Sequence, residues 1–165
     1  MHITTPRLTL DELKINDAQF IYELVNTPGW LKYIGNRNIY NIEDATAYTQ
    51  KIIANPDIKY RVVYIKEAKI PIGVVTFIKR AYLQHHDIGF AFLPQHNGHG
   101  YAYESVSTVL DKMMNTYTHS KILATTIKEN HASINLLEKL GLIYSHEIIQ
   151  ENEIIKVYEI VCGKY

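Results

Sequence analysis

The chain has 165 residues, 47% hydrophobic and 21% charged, with seventeen basic residues balancing seventeen acidic ones and one cysteine, Cys162. That length suits a single domain over residues 1–165, whose core needs neither disulfide nor structural metal. The balanced charge supplies no field for a nucleic-acid backbone, a lone cysteine builds no disulfide framework or CxxC zinc site, and no apolar run reaches the ~20 residues of a membrane span. The opening Met-His-Ile-Thr-Thr-Pro-Arg has no signal core, so the expected address is the cytoplasm.

Residues 7–10 alternate and predict a short first strand. Asn16 and Asp17 predict the cap of a helix through Phe20, Ile21 and Leu24, stopping near Pro28 and Gly29. Asn41 to Asp44 predict a second start, with Ala45, Tyr48, Ile52 and Ile53 as its apolar stripe, ending before Pro56. Residues 60–66 and 72–79 are rich in Val, Ile and Tyr, and Glu67, Ala68 and Lys69 join them as an antiparallel hairpin. Residues 87–93 predict another strand, ending at Pro94. Residues 98–117 predict a helix with Ala102, Val106, Val109, Leu110, Met113 and Met114 on its apolar side. A strand over 122–127 and a helix over 132–140, closed by a left-handed Gly141, come next. Strands over 142–149 and 154–162, joined by Gln150, Glu151 and Asn152, finish the chain. The order predicts an α/β (α+β) class: a mixed, mostly antiparallel central sheet of about seven strands flanked by helices.

The stretch Gln95-His96-Asn97-Gly98-His99-Gly100-Tyr101-Ala102 stands between a strand and a long helix. Two glycines remove the Cβ atoms that would keep a ligand off the backbone, and the first helical turn offers unpaired N–H groups and the positive end of the dipole. These features suit a pyrophosphate, and they equally suit a plain strand-to-helix turn. A Walker loop is excluded because no Lys-Ser/Thr pair follows the glycines, and a dinucleotide fingerprint because Tyr103 stands where its third glycine or alanine belongs.

Together with Asn130-His131-Ala132-Ser133-Ile134-Asn135-Leu136-Leu137-Glu138-Lys139-Leu140-Gly141-Leu142, this stretch resembles the GNAT acetyltransferases. The first segment matches that family's Q/R-x-x-G-x-G/A motif in full. The second is similar to its N-x-x-S-x-x-x-L-E-K-L-G-F helix, with Leu142 in place of Phe. Thr5-Pro6-Arg7-Leu8-Thr9-Leu10, and Ile88-Gly89-Phe90 ahead of Leu93-Pro94, resemble the branch that includes the ribosomal-protein N-terminal acetyltransferases RimJ and RimL. The order of strands and helices resembles the family's across nearly the whole chain.

The resemblance implies a GNAT-like acyl-CoA N-acyltransferase fold with acetyl-CoA as cosubstrate and no metal. It implies that the backbone of Asn97, Gly98, His99, Gly100, Tyr101 and Ala102, led in by Gln95, holds the pyrophosphate. It further implies that the strand before the loop splays from its neighbour at a bulge, where Ala91, Phe92 and Leu93 meet the pantetheine arm. An N–H exposed there would polarise the thioester carbonyl. Asn130 would contact pantetheine, and Ser133 would lie near the sulfur. Family members commonly place a tyrosine acid four residues before the closing glycine, but this chain has Leu137 there. The thiolate's proton donor is therefore expected to be Ser133, whose ordinary alternative is a serine bonding a free amide at a helix start.

A protonated amine needs a base before it attacks. Asp87 is the favoured one: alternation puts it on one face with the small residues Gly89 and Ala91, though a solvated strand-end carboxylate explains it equally. His85 and His86 are rivals, and adjacent strand residues face opposite ways, so at most one joins a shared site. No spacing joins either of them with His96 or His99 as a metal site. Trp30 and Tyr33, in a loop after the first helix, line an acceptor cleft or simply pack. Ser105 and Ser107 lack a nucleophile elbow, and Cys162 suits a buried apolar strand. The resulting expectation is direct transfer from acetyl-CoA to a primary amine in a ternary complex, the acceptor being a peptide N-terminus or a small molecule. The alternative is a CoA-binding sensor that has lost catalysis. The protein would be a monomer or a homodimer.

Overall fold

The structure, a computed structural model, describes residues 1–116 and 118–163. Among these residues eight strands form one sheet: β1 (Ile3–Thr4), β2 (Leu8–Glu12), β3 (Ile58–Ile65), β4 (Ile70–Ile78), β5 (Asp87–Phe92), β6 (Lys121–Thr126), β7 (Ile143–Gln150) and β8 (Glu153–Val161). Their order is β1-β2-β3-β4-β5-β6-β8-β7, and every neighbouring pair is antiparallel except β5 and β6. The eighth strand, beyond the seven expected, is β1. Two residues are too few to display a period, and β1 exists because Ile3 and Thr4 find Leu10 and Thr9 across a tight return.

The helices are α1 (Ala18–Val25), α2 (Pro28–Tyr33), α3 (Ile42–Ala54), α4 (Tyr101–Met114) and α5 (His131–Lys139). Pro28 and Gly29 open α2 rather than simply ending α1. The Thr27 hydroxyl caps the Trp30 N–H, and Pro28 takes a first-turn position where its missing N–H costs nothing. Asn41 caps α3 by accepting from Asp44 N–H at 2.8 Å. The α4 helix begins three residues later than expected, because Gly98 and Gly100 hold φ at +80° and +77°. It ends at Met114, and Tyr117, the expected end, lies outside the described residues. No described helix is long and apolar enough to cross a membrane.

Helices cover both faces of the sheet. Ile72, Ile88, Ile122 and Leu142 pack with Val106, Val109, Leu110 and Leu137 of α4 and α5, while Val62, Val74 and Leu93 pack with Phe20, Ile21, Leu24 and Ala45 of α1 and α3. Seven of the nine β4 residues are buried, as befits a strand covered on both sides. Alternation along β5 sends Ile88, Phe90 and Phe92 toward α4 and α5, and Asp87, Gly89 and Ala91 toward the α1–α3 face.

Candidate active site

The loop from Pro94 to Gly100 is a single 3-10 turn followed by two left-handed glycines, the second being the N-cap of α4. A Cβ on Gly98 would meet nothing within 4 Å, so that glycine faces open space. Among the described residues, no backbone or side-chain group accepts from the N–H groups of Gly98 to Tyr103. Beside them lies a 210 Å³ cavity lined by Asn97, Gly98, Gly100, Tyr101 and Ala102, together with Phe92, His96 and Tyr103 and, from α5, Leu136 and Lys139. An open backbone with unspent donors at a helix start, next to a cavity, fits an anionic ligand.

Two expected members keep their side chains out of the cavity, while the His99 N–H stays among the unspent donors. The Gln95 amide donates to Glu23 at 3.3 Å, and the His99 ring stacks on Tyr101 at 5.5 Å, outside the cavity lining. His96, Tyr103, Leu136 and Lys139 line the cavity without having been anticipated. The Lys139 ammonium stands 4.5 Å over the Tyr103 ring. The three-residue steps from Ser133 to Leu136 to Lys139 put these side chains along one stripe of α5, a signal available in the sequence.

The second feature is a fork in the sheet. β5 and β6 pair only at Asp87 and Leu123, where Leu123 N–H donates to the His86 carbonyl at 2.9 Å, and beyond that point they part. The expected bulge in β5 is absent: its register with β4 runs unbroken from Ile78 and Asp87 to Gly73 and Phe92. The fork opens because β5 stays on β4 and leaves β6. Gly73 secures this hold, since a Cβ there would stand 2.3 Å from the Phe92 ring. Leu93 continues the pairing of β5 with β4. Its N–H donates to Ile72 at 2.8 Å and its carbonyl accepts from His96, so its backbone is committed within the protein. Antiparallel pairing alternates, so the N–H groups turned to the open edge are those of Phe90 and Phe92 rather than Ala91 and Leu93.

At the start of α5, Asn130 is the N-cap and its side-chain oxygen accepts from Ser133 N–H at 3.3 Å. Asn130 thus takes the capping role, which sets aside the ordinary alternative of Ser133 bonding a free amide, and no hydrogen bond engages the Ser133 hydroxyl among the described residues. Leu137, in the slot of the family's tyrosine, is 1% exposed in the core.

At the vertex of the fork, Asp87 is 2% exposed, which overturns the solvated strand-end reading. The Arg80 Nε donates to its Oδ1 at 3.0 Å. Burial raises the Asp87 pKa above the ordinary aspartate value, and the Arg80 charge and hydrogen bond oppose that rise without cancelling it. Arg80 is a further residue the linear pattern did not reveal. His85 lines a 390 Å³ cavity with Tyr82, Lys121, His146 and Glu159, whereas His86 stacks on Phe77 at 4.9 Å and meets His119 edge-on at 4.8 Å. Burial and the neighbouring His119 lower the His86 pKa. Trp30 lies in α2, 5% exposed in the core, not in a loop.

The family model for the acetyltransferase (GNAT) domain matches residues 7–143. An uncharacterised N-acetyltransferase of Bacillus subtilis (strain 168), YnaD, is 30% identical over 142 residues, covering 86% of this chain and 82% of that protein. Among solved structures, a ribosomal-protein-S5-alanine acetyltransferase from Vibrio fischeri superposes with a TM-score of 0.81 at 19% identity, covering 98% and 97% of the two chains. The spermidine N-acetyltransferase from Vibrio cholerae, in complex with CoA and spermine, gives 0.81 at 22% identity, covering 96% and 97%. The forked sheet and its glycine loop therefore sit in the framework of an acetyl-CoA-dependent acetyltransferase. The chain belongs to the GNAT family.

Proposed function

We propose that residues 1–165 act as one domain that transfers the acetyl group of acetyl-CoA to a primary amine while both substrates are bound. The observation carrying this reading is the fork: its open edge on β5 runs from the vertex at Asp87 into the loop of Gly98 and Gly100. From Asp87 to Phe92 the strand rises roughly 17 Å, room for an extended arm between an anion site and a reaction centre. In this reading the loop N–H groups hold the pyrophosphate, with Lys139 adding charge. The Phe90 and Phe92 N–H groups meet the pantetheine arm and the developing oxyanion. The free amide nitrogen of Asn130 contacts that arm, and the Ser133 hydroxyl gives its proton to the leaving thiolate.

Asp87, held by Arg80, accepts the amine's proton directly or through water. The small residues Gly89 and Ala91 leave room for the acceptor on the α1–α3 face. The acceptor we favour is a peptide α-amine, in keeping with a RimJ/RimL-like branch. In support, the nearby carboxylates of Asp87 and Glu159 are already paired, with Arg80 at 3.0 Å and Lys121 at 3.2 Å, and so offer a polycation little. The buried Leu137 in place of a tyrosine favours a second reading, a CoA-binding sensor without turnover. Thiol release from acetyl-CoA, measured against peptides, polyamines, amino sugars and aminoglycosides, separates them. Release with peptides alone is the expected result, release with polyamines would change the acceptor, and CoA binding without release from any of them would favour the sensor.

A further inference from the structure

The segment before β2 reaches across the molecule to the loop. Arg7 Nε donates to Glu104 Oε2 at 2.7 Å, and its Nη1 donates to the His99 carbonyl at 2.8 Å. The guanidinium carbon stands 4.7 Å from the centroid of the Tyr101 ring. The Arg7 backbone N–H and the Thr5 hydroxyl both donate to Glu104 Oε1, at 2.9 and 2.6 Å. Burial opposes ionisation of Glu104, but the bonds from Thr5 and Arg7 and the Arg7 charge outweigh it and hold its carboxyl below the usual range. One guanidinium thus grips the residue before Gly100, the ring after it and a carboxylate in the first turn of α4.

A trans peptide points its carbonyl and its N–H in opposite directions. With the His99 carbonyl drawn to Arg7, the Gly100 N–H is turned away from Arg7, and Gly100 lines the loop cavity whereas Arg7 does not. Two glycines in left-handed conformations have many other states open to them, so an unheld peptide at this point can turn its carbonyl toward the ligand and repel a phosphate. Arg7 also neutralises Glu104, whose charge at the helix start would otherwise compete with a bound anion.

We propose that Arg7 is a positioning residue for the acetyl-CoA site: it fixes the His99–Gly100 peptide so that the loop presents donors to the diphosphate. The inference rests on the functional reading above. The test compares acetyl-CoA with S-acetylpantetheine, a donor lacking the diphosphate, in the intact chain and in Arg7→Ala and Arg7→Lys. Arg7→Ala should raise KM for acetyl-CoA by roughly tenfold or more while kcat changes less than about twofold. Its kcat/KM for S-acetylpantetheine should stay at the original value. Arg7→Lys should recover only part of the loss, since an ammonium lacks the planar fork that spans Glu104 and His99. An equal loss with both donors, or an unchanged KM for acetyl-CoA, overturns the proposal. If Arg7→Ala fails to fold, Arg7→Lys supports the same comparison. Calorimetry with CoA separates the two levels of failure: an original chain that binds no CoA overturns the functional reading itself, whereas equal binding by the original chain and Arg7→Ala overturns only the role of Arg7.

Discussion

Gly100 holds φ at +77°, and a Cβ added there would come within 3.4 Å of Arg7 Nη2. Gly100→Ala should therefore destabilise the fold by about 1 kcal/mol, the cost of a side chain in the left-handed region, and weaken CoA binding in calorimetry. Gly100→Glu adds a negative charge beside the phosphate site and should abolish that binding. Ser133 offers a different readout, because its hydroxyl has no partner among the described residues to lose. Ser133→Ala should lower kcat by about 10²-fold with KM for acetyl-CoA unchanged if the hydroxyl protonates the thiolate. A rise in KM alone would assign it to binding. Both residues were legible in the sequence, Gly100 as the second glycine ahead of a helix and Ser133 from its place three residues after Asn130. That Asn130 takes the capping role was not legible, since both residue types cap helices well and only their geometry divides the work.

Among the elements, α2 and the β4–β5 pair show where local reading stops. Pro28 next to Gly29 signals a helix end and a helix start alike. Trp30 turning into the core decides for a start, and that requires α1 and α3 to be in place. The bulge expected in β5 is not there because Gly73 lets the Phe92 ring lie against β4 and keeps the ladder continuous. Gly73→Ala should push the end of β5 off β4, closing or skewing the fork. We expect a loss of about 1–3 kcal/mol in denaturant unfolding, typical of overpacking, together with weaker CoA binding. A variant that loses stability while binding CoA normally would separate the fork from the β4 contact.

For the molecule as a whole, the fork vertex is where the two halves of the sheet still touch, and Asp87 stands there with Arg80 from the β4–β5 connection. The pH dependence follows from the directions of the shifts. Burial raises the Asp87 pKa and Arg80 opposes the rise, so kcat/KM should climb with pH through a limb above the ordinary aspartate value. Arg80→Gln removes the charge that favours the carboxylate, so the limb should move to still higher pH. A limb unmoved in Arg80→Gln would take Asp87 out of the proton path.

Caps, glycines and apolar periods are properties of neighbouring residues. The sequence alone therefore determined the main strands and helices, the glycine loop ahead of α4 and the family to which that pattern belongs. The burial of Asp87, the commitment of the Leu93 backbone to Ile72 and His96, and the grip of Arg7 on Glu104, 97 positions away, were decided only by tertiary structure. Each depends on which strand edges and helix faces meet. Those meetings are set by burial and hydrogen bonding summed over the whole sheet, which no local stretch of sequence encodes.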